Sequence, residues 1–431
     1  MPENNIIAQD ENGVRTKAVL VSLLLPVMES KSVETSLDEL ESLLETAGGE
    51  TALRVIQARE HPDTRTFIGK GKAAEIAEFI KNDGTVTLVV FDNELTPSQI
   101  RNLEDALDVQ VIDRTMLILD IFALHAVTGE GKLQVEIACL RYTAPRIVGH
   151  GKEMSRLGGG IGTRGPGESQ LETDRRHLQR RIEALNERLK ELERIRAVKR
   201  GGREKYNMKS VAIAGYTNAG KSTLLNYLTG AGVLSENKLF ATLDPTTRKL
   251  SLPEGEDILL TDTVGFIDRL PTHLVKAFKS TLEEIKYADA IICLVDASEC
   301  DSERVRKRKV TEELINELSG GGKEVIWCYN KCDREVDSEF IPPEGIRISA
   351  VTGEGVDGLL TRINEVVNSG KTTLTFFFPH AKAAEMNGLF RNSIVKYSEY
   401  TDDGAIVTAE CEREYANRYA AFVQDAQKRP D

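Results

Sequence analysis

The chain has 431 residues, 40% hydrophobic and 29% charged, with a net charge of −12. That composition belongs to a water-soluble globular protein with room for two to four domains, and the acidic balance argues against bulk coating of nucleic acid. No apolar run approaches the ~20 residues of a membrane span, the polar start 1–17 lacks a signal-peptide core, and the six cysteines form no Cys-x-x-Cys pair, which argues against zinc and for free thiols in a reducing, cytoplasmic setting.

Residues 1–16 read as a disordered polar tail. Apolar strands at 18–26, 52–58, 86–91 and 109–112 then alternate with helices at 36–46, 73–80 and 98–107. Leu37, Leu40, Leu43 and Leu44 set the helical spacing of the first helix, and Thr96-Pro97 starts the third. Strands alternating with helices predict a small, mostly parallel α/β sheet. Gly69-Lys70-Gly71-Lys72 ahead of the second helix could hold a phosphate, but its physics favours a basic turn.

From Arg114 the pattern is helical. Segments 115–127 and 132–142 form a predicted hairpin around Thr128-Gly129-Glu130-Gly131. The Gly-rich run 158–169 cannot build a packed core and is expected to be a loop. Leu171, Leu178, Ile182, Leu185, Leu189 and Leu192 follow as a heptad seam. Segment 132–142 offers it an antiparallel partner in the same chain, so an intramolecular hairpin and a monomer are expected. Segment 141–209 carries 18 Lys and Arg against 9 Asp and Glu, reversing the sign of the whole chain. Arg175, Arg176, Arg180 and Arg181 on this arm are candidate RNA-phosphate contacts; a solvated helix face is the plainer alternative.

Next comes Gly215-Tyr216-Thr217-Asn218-Ala219-Gly220-Lys221-Ser222, between an apolar run at 211–214 and a helix beginning Thr223-Leu224-Leu225. G-x-x-x-x-G-K-S in a strand–turn–helix context is the phosphate-binding loop: backbone N–H groups and a helix N-terminus face phosphate oxygens. Lys221 should reach the β- and γ-phosphates and Ser222 should ligate Mg²⁺. Asp262-Thr263-Val264-Gly265 follows the apolar run 258–260; Asp262 can hold Mg²⁺ through water and the Gly265 N–H can meet the γ-phosphate. Asn330-Lys331-Cys332-Asp333 follows 325–329, and Asp333 can accept both N1–H and the 2-amino group of guanine, a donor pair adenine lacks. Ser349-Ala350-Val351 can close over the base. Four such motifs in order, each after an apolar run, resemble the guanine-nucleotide domain of the translation-factor class of P-loop GTPases, with GTP and GDP as ligands. The tail from Lys371 reads as strand, helix, a hairpin turned at Asp402-Asp403-Gly404 and a last helix, a compact α+β unit.

The expected fold is therefore α/β: a P-loop GTPase domain, its mostly parallel sheet flanked by helices, preceded by a small α/β domain with a helical arm and followed by a small α+β domain. The expected limits are 1–16, 17–113, 114–206, 207–369 and 370–431.

Gly69-Lys70-Gly71-Lys72, Leu140-Arg141-Tyr142, the run 158–170 leading into Leu171-Glu172-Thr173-Asp174-Arg175-Arg176, and the GTPase motifs together resemble the HflX family of ribosome-associated GTPases. The resemblance implies GTP hydrolysis and binding of the large ribosomal subunit, ribosomal RNA included, with a role in splitting stalled or idle ribosomes. It places the Mg²⁺ ligands at Ser222 and Thr242, the latter within Phe240-Ala241-Thr242-Leu243-Asp244, and the catalytic groups at Lys221, Thr242 and Gly265. Spacing alone leaves Thr242, Thr246 and Thr247 all open. Asn218 either helps hold K⁺, as in some related GTPases, or is an ordinary turn residue. After Asp-x-x-Gly stand Phe266 and Ile267, neither able to orient a water, which predicts slow hydrolysis without an external partner. Two other readings compete: an RNA-binding protein with a purely structural nucleotide site, and a membrane-associated trafficking GTPase, for which no lipidation signal is seen.

Overall fold

The structure is a computed structural model and describes residues 7, 15–147, 166–205, 208–230, 232, 239–240, 243–253, 257–268, 284–334, 341–369 and 371–424. Of the expected features, most of the tail 1–16, the glycine-rich residues 158–165, and Ala241 and Thr242 lie outside these residues. The chain divides into two compact units, Met1–Asp357 and Gly358–Asp431.

The first unit opens with four parallel strands, β1 (Lys17–Leu24), β2 (Glu50–Ala58), β3 (Val86–Phe91) and β4 (Gln110–Asp113), in the order β2-β1-β3-β4. Helix α1 (Ser30–Thr46) buries Leu37, Leu40, Leu43 and Leu44, the stripe that its spacing predicts, and starts seven residues earlier than that stripe does. Helix α2 (Lys70–Asp83) ends at Gly84, whose φ of +69° suits a residue without a Cβ. Helix α3 (Pro97–Leu107) starts on a capping box in which Thr96 and Gln99 satisfy each other's backbone N–H, with Pro97 at the first helical position. Order 2-1-3-4 puts a topological switch point between β1 and β3, where open α/β sheets form a crevice. Ile7, within the expected tail, is buried, and its N–H donates to Asp120 at 3.2 Å.

Helices α4 (Arg114–His125), α5 (Gly129–Ile147) and α6 (Pro166–Lys205) follow. Ile137 packs on Ile182 and Leu185, with Leu133, Leu140 and Leu189 around them, so the heptad seam meets its own antiparallel partner. Helix α6 begins at Pro166, so residues 166–169, expected as loop, are helical. Proline tolerates a first helical turn because its missing N–H would have no partner there.

The second sheet has the order β10-β9-β8-β5-β7-β6. Strands β5 (Ser210–Gly215), β7 (Asp257–Asp262), β8 (Ala290–Asp296), β9 (Glu324–Asn330) and β10 (Ile346–Arg347) are parallel, while β6 (Thr246–Ser251) runs antiparallel at one edge. Six consecutive residues of β8 are buried, as expected of a central parallel strand covered on both faces. Helices α7 (Lys221–Thr229) and α8 (Asp301–Ser319) follow β5 and β8. One core joins Leu37, Leu40 and Phe122 of the N-terminal layer to Phe240, Leu243, Phe266 and Ile267 of the GTPase layer.

Helix α9 (Val356–Asn368) crosses from the first unit into the second. The second unit is otherwise a three-stranded antiparallel sheet in the order β11-β13-β12, formed by β11 (Lys371–Pro379), β12 (Ile394–Thr401) and β13 (Gly404–Glu412). Helices α10 (Ala383–Asn392) and α11 (Arg413–Arg418) contribute Leu389 and Ala416 to its core of Phe376, Phe378 and Val407. Among the described residues no helix is long and apolar enough to cross a membrane.

Candidate functional site

The motif residues gather at the carboxyl edge of the second sheet, each at the end of a parallel strand. The loop between β5 and α7 needs unusual backbone angles. Gly215, Asn218 and Gly220 have φ of +148°, +61° and +96°. A Cβ at Gly215 would fall 2.5 Å from the Leu294 carbonyl, so that glycine is required twice over. Asn tolerates the left-handed region, which fits Asn218 as a turn residue.

Lys221 is 6% exposed, and its Nζ donates to the Tyr216 carbonyl at 3.0 Å. Burial pushes its pKa down, while the Asp262 carboxylate works against that shift. A buried ammonium held over a Gly-rich loop is poised for an anion. The Ser222 hydroxyl donates to Asp262 Oδ2 at 2.7 Å, which places two hard oxygens at the start of α7. Such oxygens suit Mg²⁺, which takes a few protein ligands alongside phosphate and water. P-loop GTPases in general use Mg²⁺ with their nucleotide, and the residues present fit that ion.

Segment 262–268 is laid along the phosphate loop. Tyr216 and Phe266 form a parallel bridge: Thr217 N–H donates to the Phe266 carbonyl at 2.7 Å and Phe266 N–H to the Gly215 carbonyl at 3.1 Å. The Thr263 hydroxyl donates to the Ile213 carbonyl at 2.7 Å. A Cβ on Gly265 would lie 2.9 Å from both Lys221 Nζ and Thr217 Cα, so Gly265 sits directly beside the loop. Val264, Phe266 and Ile267 are buried.

The residues expected to hold the base are joined by cross-links between motifs. Asn330 Nδ2 donates to the Ala219 carbonyl at 2.8 Å, and its Oδ1 accepts from Ala350 N–H at 2.9 Å. One side chain thus fixes the phosphate loop to the last motif. The Ser349 hydroxyl donates to Asp333 Oδ1 at 2.6 Å, a hydrogen bond that holds the carboxyl below its usual range. Cys332 N–H donates to the Ile348 carbonyl, and Val351 is exposed. Lys331 has φ of +67° and its Nζ pairs with Asp296 at 2.6 Å. Asp296 ends β8 and was not singled out from sequence; the apolar run before it was its only signal.

Asp244 lies elsewhere. Its carboxylate accepts from Val127 N–H at 2.8 Å, from Thr128 N–H at 2.7 Å and from the Thr128 hydroxyl, at the head of α5. Phe240 packs edge-on against Phe122 of α4, ring centroids 4.7 Å apart. Phe240 and Asp244 are therefore each fastened to the helical arm, and Leu243 is buried. On the arm, Arg175, Arg176 and Arg180 are exposed, and Arg181 pairs with Glu136 at 2.5 Å.

A phosphate loop with a buried lysine, an Asp-x-x-Gly turn pressed against it and an Asn-Lys-x-Asp base pocket define a GTPase of the P-loop class. Over 389 residues the chain is 49% identical to the GTPase HflX of Lacrimispora saccharolytica, covering 88% of this chain and 90% of that protein. It belongs to the HflX family of GTPases. The HflX of Caldanaerobacter subterraneus subsp. tengcongensis is 47% identical, covering 93% of both chains. That of Escherichia coli K12 is 39% identical, covering 92% of this chain and 93% of its own. Family models match in sequence order: "GTP-binding GTPase N-terminal" at 34–123, "GTP-binding GTPase Middle Region" at 125–203, "50S ribosome-binding GTPase" at 210–331 and "HflX C-terminal domain" at 342–418. Among solved structures, a GTP-binding protein of Sulfolobus solfataricus with GDP is 25% identical over 82% of this chain and 99% of its own, at a TM-score of 0.44.

Proposed function

We propose that the chain is a GTP-driven switch that binds the large ribosomal subunit, ribosomal RNA included, and helps split or rescue stalled ribosomes. The observation that carries this reading is the fastening of Asp244 to the head of α5. It ties the segment expected to sense the γ-phosphate to an arm that displays arginines to solvent. The family model described as a ribosome-binding GTPase, matching 210–331, supports the same partner. In this reading the phosphate loop, Asp262 to Gly265 and the Asn330 to Asp333 pocket hold GTP. Ser222 and Thr242 ligate Mg²⁺, and Asn218 is a candidate K⁺ ligand. The protein acts as a monomer in the cytoplasm.

The test is co-sedimentation with large subunits in the presence of a GTP analogue, GDP or no nucleotide, repeated over a salt series. The reading expects retention with the analogue and a steep loss with salt, because phosphate contacts release counterions. Replacing Arg175, Arg176, Arg180 and Arg181 together should flatten that slope and leave GTP affinity unchanged. Equal sedimentation in all three nucleotide conditions would contradict the switch, and an unchanged slope would reduce the arm to a solvated helix.

A further inference from the structure

We infer that Tyr216 is a positioning residue for GTP hydrolysis: its hydroxyl, held by Glu39 of the N-terminal layer, fixes segment 262–268 against the phosphate loop. Three elements leaving the carboxyl edge of the first sheet converge at its switch-point crevice. Glu39 lies on α1 after β1, Asp92 follows β3 and Arg114 heads α4 after β4. The Arg114 guanidinium, with its side chain 4% exposed, pairs with Glu39 and with Asp92 Oδ1 at 3.1 Å. Burial disfavours that charge, and the two carboxylates outweigh the burial. This cluster sits at the crevice and engages the GTPase layer through Glu39 and Arg114.

Tyr216 is the residue engaged. Its hydroxyl donates to Glu39 Oε1 and accepts from Asp268 N–H at 2.7 Å. Burial and the Glu39 carboxylate raise the pKa of the phenol, so it remains a donor at every working pH. The second grip on the segment comes from the first layer as well: Arg114 donates to the Asp268 carbonyl at 3.4 Å. A third comes from α8, where Arg306 pairs with Asp268 at 2.7 Å and, with Lys307, lies over the Tyr216 ring. Asp268 is three residues beyond Gly265, and Gly265 touches the phosphate loop beside Lys221 Nζ. The backbone of Tyr216 therefore holds Lys221, and its hydroxyl holds the far end of the segment that carries Gly265. Hydrolysis by phosphoryl transfer depends on such positioning more than on acid–base groups. Neither Phe266 nor Ile267 supplies a polar group, so the placement of this segment carries more of the burden than where a glutamine is present.

The test is single-turnover GTP hydrolysis by the isolated full chain, with GTP and GDP affinities measured in parallel. Tyr216→Phe removes only the hydroxyl and leaves the backbone contact to Lys221. Its rate should fall about tenfold, while affinities change less than about threefold, the split expected when a transition-state arrangement is lost and ground-state binding is kept. Glu39→Leu should reproduce that loss from outside the nucleotide domain. Glu39→Gln, which retains an acceptor oxygen, should recover most of the rate. Adding Tyr216→Phe to Glu39→Leu should cost little more, because both break one link. A wild-type rate in Tyr216→Phe overturns the inference. So does a parallel loss of rate and affinity, which would mean general damage to the loop. If Tyr216→Phe fails to fold, the Glu39→Leu and Glu39→Gln pair decides, and equal rates in those two overturn it.

Discussion

Asp333, proposed above to select guanine, is held in place by its neighbours. Ser349 donates to one of its oxygens, and Asn330 locks the surrounding turn to the phosphate loop. Such a carboxylate selects a base by being left unpaired with the wrong one. Asp333→Asn should weaken GTP binding by about a hundredfold, within the range that a lost charge-assisted pair allows. It should also favour xanthosine triphosphate, because the amide offers a donor where guanine needs an acceptor. Competition binding with both nucleotides measures this, and unchanged GTP affinity would refute the assignment. These residues were legible in the sequence because each sits directly after an apolar strand, so linear order reports spatial order. Asp296, Glu39 and Arg114 were not legible in this way. Their partners lie 35, 177 and 22 residues away in the chain, and no local pattern encodes such a pairing.

At the scale of elements, apolar spacing gave the helices and strands of the N-terminal sheet to within a few residues. The ends moved beyond the apolar stripes: α1 begins seven residues before its first predicted apolar position, with no side-chain cap at Glu29, and α6 takes in Pro166. What spacing could not give was the joint between α5 and the segment holding Asp244. Thr128 there accepts from Gly131 N–H at 3.0 Å, a helix cap, while the Asp244 carboxylate takes the adjacent N–H groups. Gly131 has a reason to be glycine that sequence does not reveal, since a Cβ would overlap the Asp244 carboxylate. Gly129, two residues before, faces open space. Alanine at either position favours the helix, so the two substitutions separate helix stability from the joint. Gly131→Ala should speed release of a fluorescent GDP by about three- to tenfold, the worth of one charge-assisted hydrogen bond, while Gly129→Ala should release it like the wild type. Equal release rates in the two variants would show that the joint does not restrain the nucleotide site.

Across the whole molecule, the N-terminal layer grips the GTPase layer at two places that matter for its chemistry. One is the Tyr216 and Asp268 junction, and the other is the fastening of Asp244 to the arm. A partner that moves the arm would reach the nucleotide through both, and linkage makes the influence mutual. The GTPase class was legible because four motifs occur in order. The grip was not, because it depends on how two sheets face each other. The two positions directly after Gly265 cannot orient water, as Phe266 and Ile267 are apolar and both buried in the shared core. A partner that binds the arm can supply what is missing by fixing the phosphate-sensing segments. The central claim is that this GTPase is completed by the ribosome. Single-turnover GTP hydrolysis, measured with and without large ribosomal subunits in K⁺ and in Na⁺, tests it most directly. The account predicts slow turnover by the isolated protein and strong acceleration by the subunits, with K⁺ favoured over Na⁺ if Asn218 holds a cation. Fast turnover by the isolated protein in Na⁺, unchanged by subunits, would contradict it.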